Sequence, residues 1–199
     1  EGVKHFIFLS SMSVYGIENG VINRNTLLNP TTNYGKSKLQ AEKLIQPLND
    51  DSFKVVILRP PMVYGKGCKG NYPRLARLAV VAPFFPDIDN RRSMIYIDNL
   101  CEFVRMLIDD FRDGIFVPQN SEYVKTSEMV MLIAQMHGRQ IKLTKRLNSM
   151  VKNLGFRYGV INKIFGNLIC DKELSDHKAK YCIYNFEESI KLTELRGIK

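Results

Sequence analysis

The segment HFIFLSS at residues 5–11 decides the fold class of this 199-residue chain, because a short apolar run there ends abruptly in two serines. This pattern is typical of a buried strand that opens into a polar loop. A second run, VVIL at residues 55–58, stops at an Arg-Pro-Pro sequence, and apolar residues recur at helical spacing over residues 34–48 between the two runs. A strand, a helix and a strand in this order predict an α/β protein with a parallel sheet.

Similar patterns continue along the chain. Helical spacing predicts helices over 75–82, 100–108 and 126–137, with Asp98-Asn99 and Thr126-Ser127 as candidate caps of the last two. Short apolar runs predict strands at 94–97, 115–117 and 141–143.

Composition and charge narrow the classes of function. Hydrophobic residues make up 45% of the chain and charged residues 25%, as in an ordinary globular protein. No apolar run reaches the roughly 18 residues of a membrane span, so we expect a soluble protein. The net charge of +9 and the pI near 9.4 would suit nucleic acid, an anionic membrane or a phosphorylated substrate. We expect no nucleic-acid partner, because no helix-turn-helix, zinc or RNP-type pattern accompanies the charge.

The four cysteines predict neither a metal site nor a disulfide framework. Cys68, Cys101, Cys170 and Cys182 form no CxxC pair, and the three histidines stand apart from them. Reduced thiols in a cytoplasmic protein are the simplest interpretation.

The chemistry that the sequence indicates rests on Ser11, Tyr34 and Lys38. A Tyr and a Lys four residues apart lie on one face of a helix. An ammonium close to a phenol favours the phenolate, which lets a tyrosine act as a general acid or base near neutral pH. Since ligands of open α/β sheets bind at the carboxyl ends of strands, the Ser11 hydroxyl could hold a substrate oxygen against Tyr34.

Four segments in this order resemble the extended short-chain dehydrogenase/reductases, and among them the NAD-dependent epimerases and dehydratases that act on nucleotide sugars. They are FLSSMSVYG at 8–16, NYGKSK at 33–38, LRPPMVYGKG at 58–67 and RRSMIYIDNL at 91–100. The resemblance implies that residues 1–66 form the second half of a Rossmann-like domain with the catalytic residues. Residues 67–199 would be mostly a smaller α/β substrate lobe, with residues 91–118 returning partly to the Rossmann-like core.

The resemblance also implies a reaction. Tyr34 would be the acid and base at a sugar oxygen, Lys38 would bind the nicotinamide ribose and favour the Tyr34 phenolate, and Ser11 would bind the same sugar oxygen. The implied cofactor is NAD, with NADP left open, and the implied substrate is a nucleotide sugar. Residues 67–71 and 90–93 look most like the UDP-hexose 4-epimerases and 4-keto-sugar reductases of bacterial surface polysaccharide synthesis. These motifs do not separate epimerase, reductase and dehydratase.

Further binding residues follow from the same resemblance. Ser10, Pro60, Pro61 and Met62 would contact the nicotinamide side of the cofactor. Arg92 would bind the substrate diphosphate, where an arginine fork suits phosphate oxygens. Tyr96 is a further candidate for substrate binding.

The hexapeptide GKGCKG at residues 65–70 matches the G-x-G-x-x-G pattern of dinucleotide-binding turns. A fingerprint of that kind passes directly from strand to helix, whereas residues 59–64 separate this one from its strand. We therefore interpret it as a loop over the substrate site. Because no Gly-rich turn precedes Ser11, we expect the chain to lack the first, adenosine-binding half of such an enzyme and to be inactive alone.

The last third of the chain is basic, with seven Lys and Arg and no Asp or Glu over residues 139–170. Apolar residues at helical spacing predict an amphipathic helix within 145–169, from Leu147 through Tyr158 to Leu168, which either packs on the protein or contacts an anionic membrane. The alternative to an enzyme is thus a basic membrane- or partner-binding domain with a scaffold role. The resemblance further implies a homodimer formed through residues 34–49.

Overall fold

The computed structural model describes residues 2–157, 159–175 and 180–195. Within them strands and helices alternate in the order that an α/β protein requires. The strands are His5–Leu9 (β1), Gly20–Ile22 (β2), Lys54–Leu58 (β3), Met62–Tyr64 (β4), Phe84–Pro86 (β5), Met94–Tyr96 (β6), Gly114–Phe116 (β7), Lys142–Thr144 (β8) and Leu168–Cys170 (β9). The helices are Asn33–Ile45 (α1), Tyr72–Val81 (α2), Ile97–Asp109 (α3), Thr126–Met136 (α4), Asn148–Arg157 (α5), Gly159–Phe165 (α6) and Phe186–Leu195 (α7).

The central sheet contains β3 between β1 and β7. All three strands run parallel, with Phe8 opposite Ile57 and Leu58 opposite Phe116. Three further pairs, β2 with β9, β4 with β6 and β5 with β8, are parallel as well. Parallel pairing, with helices between the strands, confirms the α/β prediction.

One apolar cluster packs helix α3 on the central sheet, and a second joins three other helices. On α3, Phe103 and Leu107 are fully buried against residues of β3 and β7, and each such burial contributes roughly 1.5–3 kcal/mol. The second cluster joins α2, α4 and α7 through Leu75, Ile133 and Ile190.

Both helix-cap predictions are wrong, although both helices are present. Helix α3 begins at Ile97, so Asp98 lies in its first turn, and the Asn99 side chain donates instead to the Tyr184 carbonyl at 2.9 Å. Helix α4 begins at Thr126, whose hydroxyl donates to the Ile164 carbonyl at 2.8 Å. In both cases a distant backbone group competes successfully for the polar side chain.

The amphipathic segment is not one continuous helix. It contains α5, α6 and β9, and Leu168 belongs to the strand that pairs with β2. A Cβ on Gly166 would lie 2.4 Å from the Asn162 carbonyl oxygen, so the chain turns where only glycine fits. Val151 and Leu168 are buried and the centre of the Phe165 ring lies 5.5 Å from that of Phe85, so these residues pack on the protein, and a membrane contact of the segment stays a prediction. Tyr158 lies outside the described residues.

None of the helices that the structure describes is both long and apolar enough to cross a membrane.

Candidate active site

The end of β1 presents two serines in different environments. Ser10 is buried, whereas Ser11 is half-buried and starts a short 3-10 turn over Met12–Tyr15. The Ser11 oxygen accepts hydrogen bonds from the Ser13 N–H at 3.2 Å and from the Ser13 hydroxyl at 2.9 Å. Because the oxygen already accepts twice, the Ser11 hydroxyl proton is left to donate to a ligand.

Helix α1 places Tyr34 beside this turn. The Thr32 hydroxyl caps the helix by accepting from the Gly35 N–H at 3.1 Å. A Cβ on Gly35 would lie 2.6 Å from the Ser13 carbonyl oxygen, so glycine is required for the helix to approach the turn this closely. Tyr34 itself remains 56% exposed and therefore accessible to a ligand.

Lys38 lies one helical turn after Tyr34 and reaches back to the sheet. Its Nζ donates to the Leu9 carbonyl at 2.8 Å and lies 4.9 Å from the centre of the Phe8 ring. The same nitrogen is 5.8 Å from the centre of the Tyr34 ring. The ammonium is thus held between the end of β1 and the tyrosine, with two N–H donors still available.

One cleft of about 480 Å³ brings most of the predicted site residues together. Its walls come from the end of β1, the start of α1, the segment after β3 and the Gly-rich loop. The lining residues are Leu9, Ser10, Ser11, Tyr34, Lys38, Pro60, Pro61, Met62, Val63, Lys69, Gly70 and Asn71. Lys69 and Gly70 belong to the predicted loop over the substrate site, so the structure places part of that loop at the cleft.

Arg92 lines a second, smaller pocket of about 150 Å³, which shares Met62 and Asn71 with the first. The guanidinium is buried; its Nη1 donates to the Gly166 carbonyl at 2.7 Å, and its Nε has no hydrogen-bond partner. Burial lowers the pKa of Arg92 to about 10, against a favourable contribution from Glu18 in the same pocket. A buried cation with an unused donor suits an anionic ligand group.

The structure does not bring Tyr96 to either pocket. Its side chain is 1% exposed and packs against the rings of Tyr64 and Tyr184 at 5.7 and 5.8 Å. Tyr96 thus packs in the core, because β6 turns this residue inward, and substrate contact by it stays a prediction.

A buried ionic group lies behind the cleft, and sequence reasoning missed it. Arg59 and Glu42 form an ion pair with an Nη2–Oε2 distance of 2.6 Å, and both side chains are buried. The Ser10 hydroxyl donates to Glu42, and Arg59 donates to the Tyr15 hydroxyl at 3.1 Å. The position of Glu42, four residues after Lys38 on the same helix face, is the signal that could have indicated it.

Comparisons with known proteins identify the family of this chain. A model of the NAD-dependent epimerase/dehydratase family matches residues 1–117. The chain is 36% identical over 149 residues to a UDP-glucose 4-epimerase of Vibrio cholerae, covering 67% of this chain and 43% of that protein. It is 28% identical over 178 residues to an N-acetyl-alpha-D-glucosaminyl-diphospho-ditrans,octacis-undecaprenol 4-epimerase of Escherichia coli O157:H7, covering 83% of this chain and 52% of that one. The chain thus spans about half the length of these relatives.

Solved structures share the fold. A UDP-N-acetylglucosamine 4-epimerase from Bacillus cereus superposes with a TM-score of 0.68 at 17% identity, over 97% of this chain and 65% of that one. A UDP-glucuronic acid 4-epimerase from Bacillus cereus, solved in complex with NAD, gives a TM-score of 0.66 at 16% identity, over 98% and 62%. The predicted Rossmann-like architecture is confirmed by this likeness. The division into residues 1–66 and 67–199 stays a prediction. With its family motifs in place and more than half of its length matched, the chain belongs to the NAD-dependent epimerase/dehydratase family.

Proposed function

We propose that this chain carries the catalytic and sugar-binding part of a UDP-hexose 4-epimerase that uses NAD. The observation that carries the proposal is the convergence of Ser11, Tyr34 and Lys38 on one cleft. The names of the two curated relatives and the NAD in a solved relative support the same substrate class and cofactor.

The donors and walls of the cleft fit the nicotinamide end of the cofactor. Pro60 and Pro61 are buried, and together with Met62 they form an apolar wall on which a flat ring can lie. The two free N–H donors of Lys38 suit ribose hydroxyls. A nicotinamide cofactor held there would supply the hydride acceptor and donor that exchange at the sugar C4 requires.

Residues of this chain transfer the proton of the sugar C4 hydroxyl. Tyr34, as phenolate, takes the proton from the C4 hydroxyl and returns it to the C4 oxygen after the sugar has presented its other face. Ser11 donates its free hydroxyl proton to the same oxygen and fixes its distance from Tyr34. Lys38 stabilises the phenolate electrostatically.

Arg92 would bind the diphosphate, because its pocket adjoins the larger cleft at Met62 and Asn71. That larger cleft, which contains Ser11, Tyr34 and Lys38, is called the sugar cleft below. A phosphate oxygen would satisfy the unused Nε donor and offset the burial of the charge. The sugar would then extend from Arg92 towards Tyr34.

The lining of the sugar cleft favours epimerisation over dehydration. Loss of water from a 4-keto sugar needs a further acid and base beside the C5 proton and the leaving hydroxyl. Among the described residues that line this cleft none is Asp or Glu, and Tyr34, Lys38 and Lys69 are its titratable side chains. Proton exchange at one sugar oxygen, which epimerisation requires, needs only Tyr34.

The test uses the protein expressed from its complete gene. UDP-glucose, UDP-N-acetylglucosamine and UDP-glucuronic acid are each incubated with catalytic NAD, and the 4-epimer is separated by chromatography. An epimerase interconverts the two sugars without net change in cofactor. Stoichiometric oxidation of NADH or NADPH with a 4-keto sugar would show a reductase instead, and no product from any of these would contradict the proposal.

We also infer that two copies associate through residues 34–49, which contain most of α1 and the turn that follows it. Leu44 and Leu48 are 69% and 56% exposed at the end of this segment, and burying them would remove apolar surface from water. Sedimentation of the protein should show a dimer, and Leu44→Glu should yield a folded monomer. A monomeric parent protein would refute this association.

A further inference from the structure

We propose that Arg59 is a positioning residue that holds the carboxylate of Glu42 and thereby leaves the Lys38 ammonium free to act on Tyr34. The inference rests on the acid–base role proposed for Tyr34. It concerns groups that touch neither substrate nor cofactor but lie directly behind the residues that do.

The helix itself would favour a different pairing. Tyr34, Lys38 and Glu42 follow one another at intervals of four and so lie along one face of α1. A Lys and a Glu at this spacing attract each other on an isolated helix. In the structure, Lys38 instead donates to the Leu9 carbonyl and does not pair with Glu42.

Glu42 is occupied on both oxygens. Its Oε1 accepts from the Ser10 hydroxyl and from Arg59 Nε at 3.1 Å, while Oε2 accepts from Arg59 Nη2 at 2.6 Å. Glu42 is 1% exposed and Arg59 is 7% exposed. A carboxylate so deeply buried needs a full set of donors, and the guanidinium fork supplies them.

Arg59 is in turn fixed from the other side. It donates to the Tyr15 hydroxyl, and its guanidinium carbon lies 5.2 Å from the centre of the Tyr15 ring. Burial works against the charge of Arg59, but the hydrogen bonds to Glu42 and Tyr15 outweigh it and raise its pKa. Arg59 thus stays charged at any pH at which the protein works.

The arrangement sets the electrostatic surroundings of Tyr34. Lys38 and Lys69 line the cleft with Tyr34, and the Glu42–Arg59 pair lies behind it. The other charged residues of α1 and the Gly-rich loop, Lys36, Lys43 and Lys66, do not line the cleft. The Glu42–Arg59 pair has no net charge, which leaves Lys38, 5.8 Å from the centre of the Tyr34 ring, as the cation that α1 holds against the phenol. If an uncharged residue replaced Arg59, the carboxylate of Glu42 would attract Lys38 away from the Leu9 carbonyl. The carboxylate would also disfavour the negative charge of the Tyr34 phenolate.

Two single variants should therefore shift the titration of Tyr34 in opposite directions. Arg59→Gln leaves a negative charge two helical turns, or ~12 Å, along α1 from Tyr34 and should move the pH of half-titration up by roughly a few tenths of a unit, whereas Glu42→Gln leaves a positive charge and should move it down by a similar amount. The double variant E42Q/R59Q restores neutrality and should return it to the parent value. A purely structural role predicts loss of stability without opposite shifts.

The titration is read by near-ultraviolet absorbance of the phenolate, as the difference between each variant and the same variant carrying Tyr34→Phe. This measurement needs no turnover. If the proposed substrate were wrong, no epimerase activity would be found, but the titration of Tyr34 could still be measured. If Arg59→Gln does not fold, Ser10→Ala removes a donor from Glu42 and should give a smaller upward shift. Arg105→Gln, which breaks the exposed pair with Glu102, is the matched control and should shift nothing.

Equal titration of Tyr34 in the folded variants and the parent would overturn the proposal. Shifts of the same sign in Arg59→Gln and Glu42→Gln would also overturn it. Such shifts would indicate a general loss of packing at the site, since opposite changes in charge must shift the titration in opposite directions.

Discussion

The Nζ atom of Lys38 lies 2.8 Å from the carbonyl oxygen of Leu9, so the helix that carries Tyr34 is tied to the last residue of β1. Ser10 and Ser11 follow Leu9 directly. This hydrogen bond, together with that from Ser10 to Glu42 and the close approach of Gly35 to Ser13, holds together the two elements that supply the proposed catalytic groups.

Replacing Lys38 by Met should remove this bond and the charge beside Tyr34. We expect turnover to fall by about a hundredfold or more, because the phenolate loses its stabilising cation. The steady-state rate with UDP-glucose is the measurement. Lys36→Met, at an exposed position of the same helix, is the matched control and should retain the parent rate.

Replacing Tyr34 by Phe should lower turnover by about a hundredfold to ten-thousandfold, the usual contribution of a general acid–base group. Because the side chain is 56% exposed, the midpoint of thermal unfolding should hardly change. Turnover near the parent value in a folded Tyr34→Phe protein would remove Tyr34 from its proposed role.

Replacing Gly35 by Ala should displace the start of α1 from the turn that holds Ser11. The added Cβ would lie 2.6 Å from the Ser13 carbonyl oxygen, and such overpacking costs about 1–3 kcal/mol. Urea unfolding should show this loss together with reduced turnover. Gln40→Ala, exposed on the same helix, should match the parent in both respects, and a parent-like Gly35→Ala would contradict the close approach.

Replacing Arg92 by Met should weaken binding of UDP by about tenfold to a hundredfold, since hydrogen bonds to a charged group are worth about 1.5–3 kcal/mol. Calorimetry with UDP is the direct measurement. Arg91→Met alters the exposed neighbour and serves as control. Equal affinity in the Arg92→Met variant and the parent would exclude Arg92 from the diphosphate site.

The protein should lose stability in alkali. Burial raises the pKa values of Tyr64 and Tyr181 to about 12, whereas an unfolded tyrosine titrates near 10. Between these values the unfolded chain releases protons that the folded chain retains, so the free energy of unfolding falls as the pH rises. The expected loss is roughly 2–3 kcal/mol for each tyrosine between pH 10 and 12.

Urea titrations at several alkaline pH values measure how steeply the free energy of unfolding falls with pH. In Tyr181→Phe this fall should be smaller by the contribution of one tyrosine, whatever the stability of the variant at neutral pH. A free energy of unfolding that stays constant over this range would contradict the assigned burial of both groups.

Local pattern was enough to predict the three strands of the central sheet and to expect Ser11, Tyr34 and Lys38 close together. The runs at 5–9 and 55–58 form neighbouring parallel strands, and Ser11, Tyr34 and Lys38 meet in one cleft. These predictions succeed because strand ends and helix faces follow from periodicity, and parallel strands bring their carboxyl ends to one edge.

Tertiary structure decided what the side chains around that edge do. Tyr96 and Arg92 are close in sequence, yet one packs in an aromatic core while the other lines a pocket with an unused donor. Glu42 has the spacing of a partner for Lys38 but pairs with Arg59. Periodicity says which face a residue occupies, whereas the partner it finds there depends on distant segments that only the folded chain brings into contact.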